Sequence, residues 1–352
     1  MQVLSSLSGG SPLLLLIAVT MLAGVASDWL AQQWHIPDVV LFLLAGLLLN
    51  PVLVDAAGLP DYPGLMQAVL VFGASYILFE GGMGVRLAVL KQIWLTVTLI
   101  ATLGVLVTAA VTCAAAHWFL RMDWPLAFLL GVIMAATDPA ALIPMFRQIG
   151  IREKLAQTVI CEAAFNDAVS AVLTFALLGL VYAGGGFSVG GVAADFLVQA
   201  GIGIGAGAAI GLGVAFLVGH QRYGFLRDHL PLLTVAAVAA AYLDADRFGG
   251  SGFMAVFVAG IVVGNRGSFG LDAVPADTRR MHEFAGSTTL LLRMIVFIAL
   301  GARMDLHSIG GSLGAVAGIL AVFVLVARPL TVLSCALPDR RARWSGRELL
   351  FM

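Results

Sequence analysis

The sequence predicts an all-α polytopic membrane protein, and three observations carry that prediction. Of its 352 residues, 61% are apolar and only 11% are charged, with a mean hydropathy of +1.01, far from the usage of a soluble domain. The apolar residues fall in runs of about 17 to 25, long enough to cross a bilayer as helices and unlike the short alternating segments of a membrane barrel. The connections are short and turn-like, as at Asn50-Pro51 and Gly184-Gly185-Gly186. The expectation is a single transmembrane domain over residues 1–352 with no separate soluble domain.

Taken in order, the runs place spans at roughly 13–30, 37–54, 65–83, 93–118, 125–147, 155–182, 196–219, 229–245, 251–265, 285–302 and 309–335. The first imitates a secretory signal peptide, with Ala26-Ser27 as a small-residue cleavage site. It lacks a positive leading region and more spans follow at once, so it reads as a transmembrane helix. After the basic loop Asp339 to Arg347, the run Leu349 to Met352 reads as the start of a twelfth span cut short. The expectation is about eleven complete spans plus that start.

Positive charge fixes the orientation. Counting alternate loops, fourteen of the nineteen Lys and Arg residues fall on one side, among them Arg86, Arg147, Arg152, Lys154, Arg222 and Arg340. Three, Arg121, Arg247 and Arg303, fall on the other, and Arg293 and Arg328 lie inside spans. The positive-inside rule then puts the N-terminus outside. Net charge is -1 and there is no basic run, so nothing points to nucleic acid. Cys113, Cys161 and Cys335 stand singly in apolar segments, without the spacing of a disulfide frame or a zinc site.

The residues that carry chemistry are carboxylates where lipid-embedded helices exclude them. A charged group at the bilayer centre costs at least a few kcal/mol, which makes an intramembrane Asp a functional candidate. The fifth span contains Thr137-Asp138-Pro139, with Pro144 beyond. Each proline removes a backbone donor and clashes with the preceding turn, so a helix break is expected at Pro139, with freed carbonyls beside Thr137 and Asp138. Oxygen-only surroundings suit a hard monovalent cation. The bland alternative is a proline kink with Asp138 capping the broken half.

The sixth span contains Glu162, Asn166 and Asp167. At ~100° per residue Glu162 and Asn166 share a face, while Asp167 lies ~140° round from Glu162, so the two carboxylates have different jobs. Asp167 is the candidate to meet the broken fifth helix. Glu162 needs a buried cation, for which Arg293 and Arg328 are the candidates, Arg328 being deeper relative to the loops. Glu80, ending the third span, is either a cation entry funnel or a helix-end cap. The six histidines fall at span ends or in loops without metal-ligand spacing and read as solvated. Gly249-Gly250-Ser251-Gly252 fits an intramembrane serine protease pattern, but no later histidine lies in a span to act as base. Neither Asp138 nor Asp167 lies in the Gly-x-Gly-Asp sequence of an intramembrane aspartyl protease. An enzyme is not expected.

In order along the chain, Phe79-Glu-Gly-Gly-Met83, Thr137-Asp138-Pro139, Glu162-x-x-x-Asn166-Asp167, Gly250-Ser251-Gly252, Gly264-Asn265-Arg266, Phe297-Ile-Ala-Leu-Gly301 and Ala327-Arg328-Pro329-Leu330 resemble the monovalent cation:proton antiporter-1 family, the NhaP-like bacterial Na+/H+ and K+/H+ exchangers. The resemblance implies an inverted-repeat cation/proton antiporter fold with discontinuous transmembrane helices, usually a homodimer. Spans 4–6 and 11 would form a core that moves against a dimerisation scaffold of spans 1–3 and 8–10. It implies that Asp167 binds the proton or cation (Na+ or K+), with Asp138, Thr137 and Asn166 as companions, and that Glu162 and Arg328 form a structural ion pair. A multi-pass protein of the bacterial inner membrane, without a cofactor, is expected. The sequence departs from the pattern at Ala163, where many members carry a hydroxyl, and in ending before the family's last two spans.

A single carboxylate that holds either a proton or a cation, within a protein that reorients only when one is bound, exchanges the two without moving net charge. Electroneutral alternating access is therefore the expected mechanism. The rivals are a sodium-coupled solute symporter on a similar scaffold and a non-transporting fragment.

Overall fold

A computed structural model describes residues 11–50, 53, 63–137, 153–183, 189–219, 229–271, 275–304, 312–339 and 344–351. The described residues are helical: α1 Ser11–Trp34, α2 Asp38–Leu48, α3 Pro63–Gly84, α4 Leu87–Leu120, α5 Trp124–Ala135, α6 Glu153–Ala183, α7 Val189–Gly219, α8 Leu230–Arg247, α9 Gly252–Gly264, α10 Pro275–Gly301, α11 Leu313–Ala336 and the short α12 Gly346–Phe351. Among them, seven helices are long and apolar enough to cross a membrane, and α2, α5 and α9 are shorter apolar helices. α8 ends on Asp244, Asp246 and Arg247, which lower its hydropathy without shortening it.

The chain divides into two compact units. The first comprises Met1–Ile77 and Thr278–Leu306. Within it α2 and α10 approach through reciprocal glycines: a Cβ at Gly46 would overlap the Ile298 carbonyl oxygen, and one at Gly301 would overlap that of Leu43. Phe42, Met66, Met294 and Ile298 pack around this crossing. Arg293 Nη2 donates to Asp38 Oδ1 at 2.7 Å, tying the start of α2 to α10. Of the two arginines within spans, this one is thus paired inside its own unit.

The second unit comprises Leu78–Asp277 and His307–Met352. In it α9 is held on both sides by glycines. Gly260 faces the Phe79 carbonyl at the end of α3, and a Cβ at Gly264 would come 2.6 Å from the Met83 oxygen. On the other side Gly203 and Gly207 of α7 lie against the backbone at Ser251 and Ala255. Ser251 caps α9, its hydroxyl accepting from Met254 N at 3.2 Å, which gives that serine a helix-starting role. α4 runs on to Leu120, where Arg121 turns left-handed at φ 52° and stops it. His117, expected to be solvated, instead stacks on Trp124 at 4.0 Å between ring centroids, with Nδ1 2.7 Å from the Met122 oxygen.

Two long helices each contain one π-helical turn, Ile100–Gly104 in α4 and Phe323–Ala327 in α11. In α11 the cause is local. Pro329 cannot donate to the Leu325 carbonyl and its ring would clash there, and a widened turn absorbs the mismatch.

The glycine stripe of α7 supplies a stability test. Gly207 has the Ala255 backbone against it, whereas Gly205 has open space. Gly207→Ala should cost about 1–3 kcal/mol through overpacking. Gly205→Ala should be neutral or stabilising by up to about 1 kcal/mol. Thermal unfolding in detergent compares the two.

Candidate functional site

α5 stops at Ala135, and Ala136 follows at φ -65° and ψ 134°, outside helical values. Ala135 is the residue whose carbonyl a helix would pair with position 139, and position 139 is a proline, which cannot donate to it. Thr137 is half-buried just past this helix end. Asp138 and Pro139 lie outside the described residues, as does Pro144. Ala135 shares a buried cluster with Ala164 and Ala168 of α6, so the end of α5 packs close to the acidic stretch of that helix.

On α6, Glu162 is 1% exposed and Asn166 is buried, while Asp167 is half-buried. Arg328 Nη1 donates to Glu162 Oε1 at 2.6 Å. The guanidinium side is 25% exposed against 1% for the glutamate. The pair removes the cost of a lone carboxylate in apolar surroundings. Arg328 follows the π-helical turn directly. Its helix is fixed one turn on by Thr331, whose hydroxyl lies 2.8 Å from that of Thr108 and donates to the Gly104 carbonyl at 3.4 Å. Gly104 ends the π-helical turn of α4, and its missing side chain admits Thr331, with Cγ2 2.8 Å from where a Cβ would sit.

Some oxygens on α6 remain over. Among the described residues, Glu162 Oε2, Asn166 Oδ1 and Ser170 Oγ are buried without a hydrogen-bond partner. Each such orphan costs about 1–3 kcal/mol in a closed interior. Glu80 is half-buried near the end of α3, and it makes contacts of its own.

Two polar clusters have no role assigned from the sequence, although Gly264-Asn265-Arg266 is one of the motifs behind the family resemblance. Asn265 accepts from Leu87 N at 3.0 Å and donates to the Val85 oxygen at 2.7 Å, sealing the α3–α4 turn against the end of α9. Asp339, 3% exposed, accepts from the amide and the hydroxyl of Thr96 at 3.1 and 2.6 Å. The Thr96 hydroxyl in turn accepts from Trp344 Nε1 at 3.1 Å, and Lys154 Nζ sits 4.4 Å above the Trp344 ring. A lone Asn after Gly264 and an Asp after Pro338 are the only local signals, and neither says which distant backbone is met.

These helices make a multi-pass membrane protein, with a buried ion pair and unsatisfied oxygens among its spans. Residues 15–350 match the family described as sodium/hydrogen exchanger, transmembrane, and the chain belongs to that family. It is 30% identical over 280 residues to the Na(+)/H(+) antiporter ApNhaP of Aphanothece halophytica, covering 78% of this chain and 51% of that protein. It is also 30% identical over 333 residues to the K(+)/H(+) antiporter NhaP of Alkalimonas amylolytica, covering 92% and 55%. The sodium proton antiporter MjNhaP1 from Methanocaldococcus jannaschii, in a structure at pH 8, superposes with a TM-score of 0.77 and 27% identity, covering 97% of this chain and 82% of that one. The chain spans about half the length of the first two relatives.

The ion pair can be tested by asymmetry. Arg328→Ala leaves Glu162 buried without its cation and should cost about 3 kcal/mol. Glu162→Gln combined with Arg328→Met should cost clearly less, because no bare charge is left behind. Thermal midpoints of the single and double variants, measured under one buffer condition, read the difference.

Proposed function

We propose that this chain is the membrane part of a secondary active transporter that exchanges Na+ or K+ for H+. A cation and a proton compete for the Asp167 carboxylate, and the protein reorients only with one of them bound. The observation that carries the reading is the division of labour on α6. Glu162 is engaged by Arg328 at 2.6 Å, while Asp167, ~140° away on the helix, is half-buried and faces a different direction. Glu162 is thus committed to structure, and the exchanged proton and cation are assigned to Asp167 on the other azimuth. The relatives are named as Na(+)/H(+) and K(+)/H(+) antiporters, which supports both ion classes.

In this reading Thr137, Asp138 and Asn166 help Asp167 hold the dehydrated cation, and Glu80 stands at its entry. With Asp167 the one carboxylate of the site that changes protonation during the cycle, one proton leaves for each monovalent cation that enters, so the cycle is electroneutral. The chain works as a homodimer, its N-terminus outside the plasma membrane of a bacterium, with spans 4–6 and 11 moving against the remaining scaffold.

Proteoliposomes holding a pH-sensitive dye test this. A Na+ or K+ pulse against an acid interior should raise internal pH, and Asp167→Asn should remove at least ~90% of the rate, the loss expected of a group that carries the exchanged proton. Exchange that survives Asp167→Asn contradicts the assignment. A rate that follows an imposed membrane voltage contradicts electroneutrality.

A further inference from the structure

The polar face of α6 continues one turn past Asn166, to Ser170. Ser170 is 2% exposed, and among the described residues its Oγ makes no hydrogen bond. Among the described residues Ser75, Thr112 and Thr289 are the other buried helix hydroxyls without a partner. For a hydroxyl on a helix the carbonyl four residues back is a ready acceptor. Thr102, Thr158 and Ser287 use it, donating to Thr98, Lys154 and Glu283 oxygens at 2.6, 2.8 and 2.9 Å. Asn166 Oδ1 is likewise buried, at 3% residue exposure, and without a partner. The two side chains stand four residues apart, close enough on a helix to bond each other, and they do not.

Helical phase says where these oxygens point. Ser170 lies ~40° from Asn166 and ~60° from Asp167, so its azimuth falls between those of the two. Ala163, on nearly the same azimuth one turn before the pair, is buried and offers no oxygen. The oxygens around Asp167 on this face of α6 therefore come from Asn166 and Ser170.

We propose that Ser170 is a further ligand of the transported monovalent cation, its Oγ and Asn166 Oδ1 joining a carboxylate oxygen of Asp167 in one oxygen-only face. This rests on the assignment of exchange to Asp167. An amide carbonyl oxygen and a hydroxyl are neutral ligands for a hard cation. They replace part of its hydration shell without adding a second titrating group, so the exchange keeps its one-for-one charge balance. When a proton occupies Asp167 instead, the hydroxyl is free to rotate and donate to Asn166 Oδ1.

The test uses the whole chain, comparing wild type with Ser170→Ala, Ser170→Thr and Asp167→Asn. Thermal midpoints in detergent are titrated with NaCl or KCl, with choline chloride holding ionic strength, and exchange is measured in proteoliposomes. Ser170→Ala should raise both the half-saturating cation concentration and the KM for the cation by about two- to tenfold, the effect of one neutral ligand, with Vmax preserved. Ser170→Thr should restore both. The inference is overturned if Ser170→Ala lowers the midpoint equally at every cation concentration and leaves half-saturation and KM unchanged. The hydroxyl would then hold only packing or a structural water. It is also overturned if wild type shows no cation-dependent midpoint. If the Asp167→Asn titration matches wild type while Ser170→Ala shifts it, the Asp167 reading fails and Ser170 remains a cation ligand.

Discussion

The second unit depends on the bond between Arg328 and Glu162. A glutamate that is 1% exposed in an apolar helix bundle has to be neutralised, and the 2.6 Å contact to Arg328 does this with a charge brought from α11. The requirement reaches outward. Arg328 must enter at a set height and angle, and the π-helical turn before it, enforced by Pro329, helps set both. Thr331, Thr108 and the bare backbone of Gly104 then hold α11 against α4 one turn away. Losing any of these would move the guanidinium before it broke the helix.

With Glu162 occupied, α6 presents a second and chemically distinct azimuth. Asp167 is half-buried there, with Ser170 ~60° round the helix from it and Asn166 ~100° round, towards the face of Glu162; the oxygens of Asn166 and Ser170 lack partners among the described residues. A helix interior tolerates orphaned oxygens poorly, and three of those found among the described residues, Glu162 Oε2, Asn166 Oδ1 and Ser170 Oγ, fall between positions 162 and 170 of α6. The end of α5 at Ala135 packs beside the same stretch, with Thr137 two residues further on. Under the proposed assignment of exchange to Asp167, structure and exchange are separated on one helix by helical phase, so one carboxylate changes its ligand without disturbing the other.

Much of this was legible in the sequence, for physical reasons. Apolar runs of bilayer length admit one conformation in lipid, so the helices could be read directly. The sequence predicts a break at Pro139, which lies outside the described residues; α5 ends at Ala135, whose carbonyl a helix would pair with that position. The phase difference between Glu162 and Asp167 followed from helical geometry. Partners distant in sequence were another matter. Arg293 and Arg328 both sit in apolar spans, and only the tertiary arrangement gives Asp38 to one and Glu162 to the other. Asn265 bonding at Val85 and Leu87, and Asp339 bonding at Thr96, are contacts across more than 170 residues with no periodic signal. Glycines recur at every second position from Gly201 to Gly207, yet Gly203 and Gly207 meet backbone while Gly201 and Gly205 face open space. Which face is packed depends on α9, which the α7 sequence does not contain.

The central claim is competition between a proton and a cation for one carboxylate, and proton release on cation binding tests it most directly. Purified protein in weakly buffered detergent solution, at a pH where Asp167 is protonated, is titrated with Na+ or K+ while pH is recorded. Competition predicts close to one proton released per cation bound, and neither release nor binding after Asp167→Asn. Cation binding with no proton release would contradict the account.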